Sequence, residues 1–317
     1  MLKPIDFGKL SYNLQTSIMK VPYYIDGYNN VMVSVSGGSD SDVVIDMIER
    51  FVKDKSKIHY VYFDTGLEYN ATKQHLKDLE LKYGITIEVY KAIKSIPYTS
   101  KTFGQPFLSK HVSEMCYRLQ CHEFDWSDAP YSDLISRYPK CDSALKWFTN
   151  GYEYGSSFNI ERNKLLREFM IENPPDFLIS CKCCEYAKKK VAERYKAEFS
   201  VDLSVTGLRK SEGGVRSTRY TSCFDEGEIS NFRPLWNVTN SEKEQYVKES
   251  GIEHSECYTS YGLSRTGCAG CPFGRSFEDE LITINNYEPM LYNVVNQVFG
   301  KSYQYTRLYK QYVVDNS

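Results

Sequence analysis

The run Ser36-Gly37-Gly38-Ser39-Asp40-Ser41 limits what this chain can fold into more than any other stretch. Ahead of it, Val31-Met32-Val33-Ser34-Val35 is an apolar, β-branched run that reads as a short buried strand. Behind it, Val44, Met47, Ile48 and Phe51 recur at helical spacing, which predicts a helix over residues 42–53. Strand, tight loop and helix follow one another directly. Two adjacent glycines open backbone angles closed to other residues and let the main chain approach a ligand. The first helical turn adds unpaired N–H groups and a partial positive charge. Together they make a seat for an anion, most naturally phosphate. A plain polar turn capped by Ser39 or Ser41 fits the same residues. No Gly-Lys-Ser/Thr ends the loop, so it is not a Walker loop.

The 317 residues suit one large domain or a domain with an appended module. The formal charge of −2 gives no global case for nucleic acid or membrane binding. No window approaches the roughly 20 apolar residues of a membrane span, and the N-terminal stretch lacks a signal-peptide core. The expectation is a cytoplasmic protein with no membrane partner. Ten cysteines are many for that compartment, where disulfides are rare, so metal ligands or redox thiols are the readings to weigh. The sequence sets no oligomeric state.

Along the chain, Leu10, Leu14, Ile18 and Met19 predict a helical lead-in that Pro22 stops. Strands are expected at 58–63, ending in Asp64-Thr65-Gly66, and at 86–90, with a helix between them that runs from near Tyr69 toward Gly84. Strands alternating with such helices imply a parallel sheet with right-handed crossovers. Ligands then bind beyond the strands' carboxyl ends, so the loops at 36–41 and 64–66 should face one crevice. Asp64 there is a ribose or metal partner, or an ordinary helix-capping Asp. Residues 95–180 lose the β/α rhythm and read as a helical insertion, with helices at 109–121, 131–138, 141–148 and 159–171. Lys110, His111 and Arg118 read as a solvated face, with a substrate-facing role the alternative, and Cys116, Cys121 and Cys141 read as core. Residues 181–240 return to the sheet: a helix at 185–197, a strand at 203–206, then Gly207-Leu208-Arg209, with Arg216 beyond. Guanidinium forks just past a strand end can clamp phosphate or sulfate. An edge strand bearing Pro234 is expected at 232–236. Residues 241–317 form a last module: a helix capped by Ser241 and Glu244, a Cys-x-x-Cys knuckle and a helical tail.

The knuckle is Cys268-Ala269-Gly270-Cys271. Two thiolates on such a turn reach one metal, and a four-thiolate site binds zinc or an iron–sulfur cluster. Cys183 and Cys184 are the second pair, with Cys223 and Cys257 as alternates. Adjacent cysteines point different ways on regular backbone, which suits a [4Fe-4S] cluster better than zinc. Reduced structural cysteines are the plain alternative.

The hexapeptide resembles the pyrophosphate-binding SGGxDS loop of the PP-loop superfamily, and Phe63-Asp64-Thr65-Gly66 resembles the matching loop of phosphoadenylyl-sulfate (PAPS) reductases. The Arg209 segment resembles the Gly-x-Arg…Glu…Arg loop of those enzymes and their relatives. The tandem cysteines followed by a Cys-x-x-Cys resemble the cluster framework of iron–sulfur adenylyl-sulfate reductases. These motifs stand in family order over about 31–275. They identify the chain as a PAPS-reductase-family protein, similar also to the ATP pyrophosphatase of DNA sulfur modification. The resemblance implies an α/β fold of the adenine nucleotide alpha hydrolase type, a three-layer parallel sheet with flanking helices. It implies ATP with magnesium over Ser36, Gly37, Gly38, Ser39 and Ser41, with Asp64, Thr65, Gly66 and Gly207 also nucleotide-binding and Asp40, Arg209 and Arg216 catalytic. Cleavage between the α- and β-phosphates would adenylylate an acceptor in sulfur transfer. A sulfur-donor protein of the cysteine desulfurase or thioredoxin type is the implied partner, and nucleic acid is one allowed acceptor. Reductases of the family carry a nucleophilic cysteine near the C-terminus, and here no cysteine follows Cys271. A sulfite-releasing reductase using Cys257 or Cys223 is therefore the second reading. A non-enzymatic nucleotide- or nucleic-acid-binding module, built on Lys182, Lys188, Lys189, Lys190 and Arg194, is the third.

Overall fold

The computed structural model describes residues 2–213, 220–274 and 276–317. They form two compact units: Met1–Ile93 with Lys188–Cys268, and Lys94–Ala187 with Ala269–Ser317.

The first unit holds a six-stranded sheet in the order β3-β2-β1-β4-β6-β5. Its strands are β1 (Val31–Val35), β2 (Ile58–Asp64), β3 (Ile87–Lys91), β4 (Leu203–Val205), β5 (Phe224–Asp225) and β6 (Ser230–Phe232). All neighbours are parallel except β5 and β6. Five helices of this unit matter here: α1 (Tyr12–Ile25), α2 (Ser39–Phe51), α3 (Asn70–Tyr83), α4 (Lys190–Glu198) and α5 (Asn240–Ser250). Side chains alternate across a strand, and the two faces are filled accordingly. Val31, Val33, Val35, Tyr60 and Tyr62 enter the core shared with α1, α2, α3 and α5. Met32 and Val61 point the other way, onto Tyr195 of α4. The result is the expected α/β fold, a mostly parallel sheet between two helical layers.

The second unit has a core built mainly from helices. Val112, Leu119, Trp147, Phe148, Phe169, Met170, Tyr305 and Tyr309 form one buried cluster. Tyr305 and Tyr309 come from the long helix Pro289–Asp315, and the Phe169 ring lies 4.9 and 5.3 Å from theirs, tilted by 47° and 56°.

Several local expectations are corrected. Pro22 lies inside α1, which runs on to Ile25 because Val21 and Ile25 are fully buried and their packing outweighs one lost hydrogen bond. Met19 is exposed. The region 159–171 is a 3₁₀ turn, Ile160–Arg162, and a short helix, Leu166–Glu172, broken where Leu165 takes a φ of 54°. Pro234 lies beyond β6, and the sheet edge is β5. The capping box uses Thr239 and Glu242, two residues earlier than the expected pair. Cys116 and Cys141 are buried as expected, whereas Cys121 is exposed.

Candidate functional site

Strand order reverses between β1 and β4, and their carboxyl ends make the crevice where open α/β sheets bind ligands. β1 delivers the Ser36–Ser41 loop and β4 delivers Gly207 and Arg209. Gly37 holds a φ of 65°, and a Cβ there would lie 2.7 Å from Thr72 Cγ2, so glycine is required twice over. Gly38 is the N-cap of α2, with no side chain to occupy the cap. The loop is tied internally by serines: Ser41 Oγ donates to the Gly38 carbonyl at 2.7 Å and accepts from Ser36 Oγ at 3.2 Å. Gly38 N donates to Ser36 Oγ at 3.3 Å. Gly207 abuts the Asp40 backbone, where a Cβ would meet the Asp40 carbonyl carbon at 3.1 Å.

Two cations converge on Asp40. Arg209 Nε lies 2.9 Å and Lys243 Nζ 3.0 Å from Asp40 Oδ1. Lys243 also donates to Ser39 Oγ at 2.8 Å, and Arg209 Nη1 to Asn240 Oδ1 at 2.7 Å and Ser211 Oγ at 2.9 Å. Arg209 is 7% exposed, so its charge is aimed by a fixed network. Lys243 had no signal in the sequence: it sits in the first turn of α5, whose docking against α2 is a tertiary fact. Tyr258 and Thr266 were missed for the same reason. Tyr258 OH accepts from Ser39 N and from Thr266 N, both at 3.2 Å.

Below the loop, α2 carries two fully buried carboxylates. Asp42 Oδ2 meets His254 Nδ1 at 2.8 Å, while His75 Nε2 lies 3.1 Å from Oδ1, off the line a hydrogen bond needs. Asp46 takes Arg50 Nε at 2.6 Å and the hydroxyls of Tyr83 and Tyr246 at 2.9 and 2.8 Å. Burial, and then the Asp46 charge, push both phenols above their usual range.

At the end of β2, Asp64 Oδ1 accepts from Gly66 N at 2.9 Å, a local turn bond. Thr65 N donates to Glu68 Oε1 at 2.7 Å, and the Thr65 hydroxyl also reaches Glu68. Glu68 is 7% exposed; burial raises its carboxyl above the ordinary range, against the pull of the Thr65 donors, and Asp64 adds to the rise. Thr65 Oγ1 stands 3.8 Å from Cys268 Sγ.

The structure therefore joins Ser36, Ser39, Asp40, Ser41, Gly207 and Arg209 by direct contact, and links Thr65 to Cys268. Arg216 lies outside the described residues. Cys268 belongs to the first unit and Cys183, Cys184 and Cys271 to the second. Among the described residues no group of three or more His, Cys, Asp or Glu is placed to hold a metal ion. Of the alternates, Cys257 is buried beside Thr72 Oγ1 at 3.6 Å, and Cys223 accepts from Lys20 Nζ at 3.7 Å. Among the described residues no helix is long and apolar enough to cross a membrane.

Comparison with known proteins follows this geometry. A curated PAPS reductase of Emericella nidulans is 37% identical over 70 residues, 22% of this chain and 23% of that protein, so the match spans about a quarter of the relative's length. Among solved structures, a PAPS reductase of Candida auris in a phosphate complex aligns with a TM-score of 0.45 and 17% identity, covering 80% of this chain and 87% of that one. The U34-tRNA thiolase NcsA of Methanococcus maripaludis with its [4Fe-4S] cluster gives 0.40 and 13%, covering 94% and 79%. The NH3-dependent NAD synthetase of Campylobacter jejuni gives 0.40 and 12%, covering 99% and 95%. The sequence itself matches the phosphoadenosine phosphosulfate reductase domain over residues 30–124 and 144–273, most of its length, and the chain belongs to that family.

Proposed function

We propose that the protein binds ATP at the Ser36–Ser41 loop and cleaves it between the α- and β-phosphates, adenylylating an acceptor in sulfur transfer. The observation that carries this is the pair of cations, Arg209 and Lys243, fixed on Asp40 at the N-terminus of α2. Fixed donors aimed at developing phosphate charge need no reorganisation during reaction, which is where most of the rate comes from. Lys243 and Ser39 would hold the outer phosphates, and Arg209 would steady charge on the α-phosphate or the leaving pyrophosphate. Gly37, Gly38 and Gly207 would let the backbone approach, while Asp64, Thr65 and Gly66 would flank the nucleoside side of the crevice. Magnesium binds through one or two carboxylates plus phosphates, so a preformed cage is not required. Asp40 is the carboxylate that would hold it, and the ion would supply charge neutralisation. An iron–sulfur cluster needs four ligands, and the described residues gather no such set.

Incubation with ATP and magnesium should yield AMP and pyrophosphate, with loss of both in Arg209→Ala. ADP and phosphate as products, or an Asp40→Ala variant equal to wild type, would overturn the reading. A second reading, PAPS or adenylyl-sulfate reduction, draws support from family membership and from Cys268 beside Thr65. It requires a thiolate to take sulfite from the nucleotide. Thioredoxin-dependent sulfite release, abolished by a Cys-to-Ser change at 257, 223 or 268, would favour it.

A further inference from the structure

A cavity of about 580 Å³ lies wholly within the second unit, well inside the range of small-molecule sites. Ser100 and Lys101 line it from the helix Ile96–Phe103, and Val298 and Lys301 from the helix Pro289–Asp315. Phe177 and Leu178 close a third side. That side is held rigidly. Gln105 N donates to the Leu178 carbonyl at 2.8 Å, and Gly104, at a φ of 101°, comes so close that a Cβ would sit 2.2 Å from the same oxygen.

Two features of the walls point to one kind of ligand. The cavity is lined by two ammonium groups and no carboxylate. Lys301 has a 3.4 Å contact with Asp176, but both side chains are more than half exposed, and such pairs separate at little cost. In addition, Leu178 is 46% exposed and, with Phe177 and Val298, offers apolar surface next to the charges.

We propose that this cavity binds a small organic anion. Its oxyanion would lie between Lys101 and Lys301, and its apolar body against Phe177, Leu178 and Val298. The proposal does not depend on the reading of the nucleotide loop.

The test uses the full chain and the fluorescent probe anilinonaphthalene sulfonate, an apolar ring system with one sulfonate. Wild type should bind one equivalent saturably, more weakly as salt rises. Lys101→Glu combined with Lys301→Glu, two surface changes that leave the core alone, should weaken binding by about tenfold or more. Val298→Trp should fill the cavity and abolish binding, with circular dichroism confirming the fold. The uncharged phenylnaphthylamine should bind wild type far more weakly and be indifferent to the charge reversal. Equal affinity in wild type and the doubly reversed variant, or equal binding of charged and uncharged probes, would overturn the proposal.

Discussion

Helix α2 and the aromatic cluster of the second unit solve burial in opposite ways. Along α2, carboxylates at positions 40, 42 and 46 are buried or nearly so, and each has different partners: two cations at Asp40, the His254 imidazole at Asp42, and a guanidinium with two phenols at Asp46. Around Phe169 the second unit buries aromatic and aliphatic side chains against one another. Charge in an interior is costly, and swapping a buried ion pair for apolar groups is often neutral or better. A helix carrying three such sites is therefore shaped for something besides stability, and its N-terminus lies in the loop proposed above to bind nucleotide. The aromatic cluster carries no such signature.

The comparison can be broken by substitution. Asp46→Ala should cost about 3–5 kcal/mol in urea unfolding, because Arg50 is left charged and buried. Phe169→Ala should cost a similar 3–5 kcal/mol through its cavity. The two differ in rescue. Replacing Asp46 and Arg50 together by Leu should recover much of the loss, whereas no single partner change should restore Phe169→Ala. If the Asp46/Arg50 double variant is no better than Asp46→Ala, the compensation account of α2 fails.

Arg209→Ala comes next. It should lower the rate of AMP formation by about a hundredfold or more, read in kcat. The melting temperature should move little, since Lys243 still balances Asp40. A large loss of stability with an unchanged kcat would make Arg209 a structural residue only.

Gly37→Ala should cost about 1–2 kcal/mol from the left-handed backbone, plus the clash with Thr72. Adding Thr72→Ser removes the Cγ2 methyl and should restore only the steric part, separating the two contributions.

The smallest effect concerns pH. Glu68 holds its proton more tightly folded than unfolded. The folded state thus binds more protons as pH rises through the ordinary carboxylate range, and stability falls with pH until the folded group has also ionised. Glu68→Gln should flatten that fall, seen as a smaller change in urea midpoint between acidic and neutral pH. A rise in wild-type stability through this window that Glu68→Gln removes would reverse the assignment.

The two regions also differ in how far the sequence reveals them. The apolar, β-branched run at 31–35, the paired glycines and the Asp64-Thr65-Gly66 turn after β2 are local patterns, so the strand, the loop and the fold class were readable. Arg209 was singled out by likeness to the family's Gly-x-Arg loop, since its position after a strand end also fits a Gly-rich loop with surface charge. Lys243, Tyr258, His75 and His254 were not, because each acquires its role only when a distant segment docks on α2. The C-terminal tail was readable as helical, but nothing in it said that Tyr305 and Tyr309 would both pack on Phe169. The capping box was misplaced because its local propensities are satisfied equally well two positions earlier, and the edge strand because the sheet edge falls to β5, a pairing that local pattern does not show.

The hydroxyl of Tyr258 has one further consequence. It sits on the Ser39 amide, the donor a phosphate arriving at the helix end would claim, and the same oxygen receives the Thr266 amide. Nucleotide and tyrosine would therefore compete for one seat. Each arrival would loosen the stretch that leads to Cys268, and each departure would let it settle back, so that a thiol two residues beyond Thr266 would register whether the loop is full.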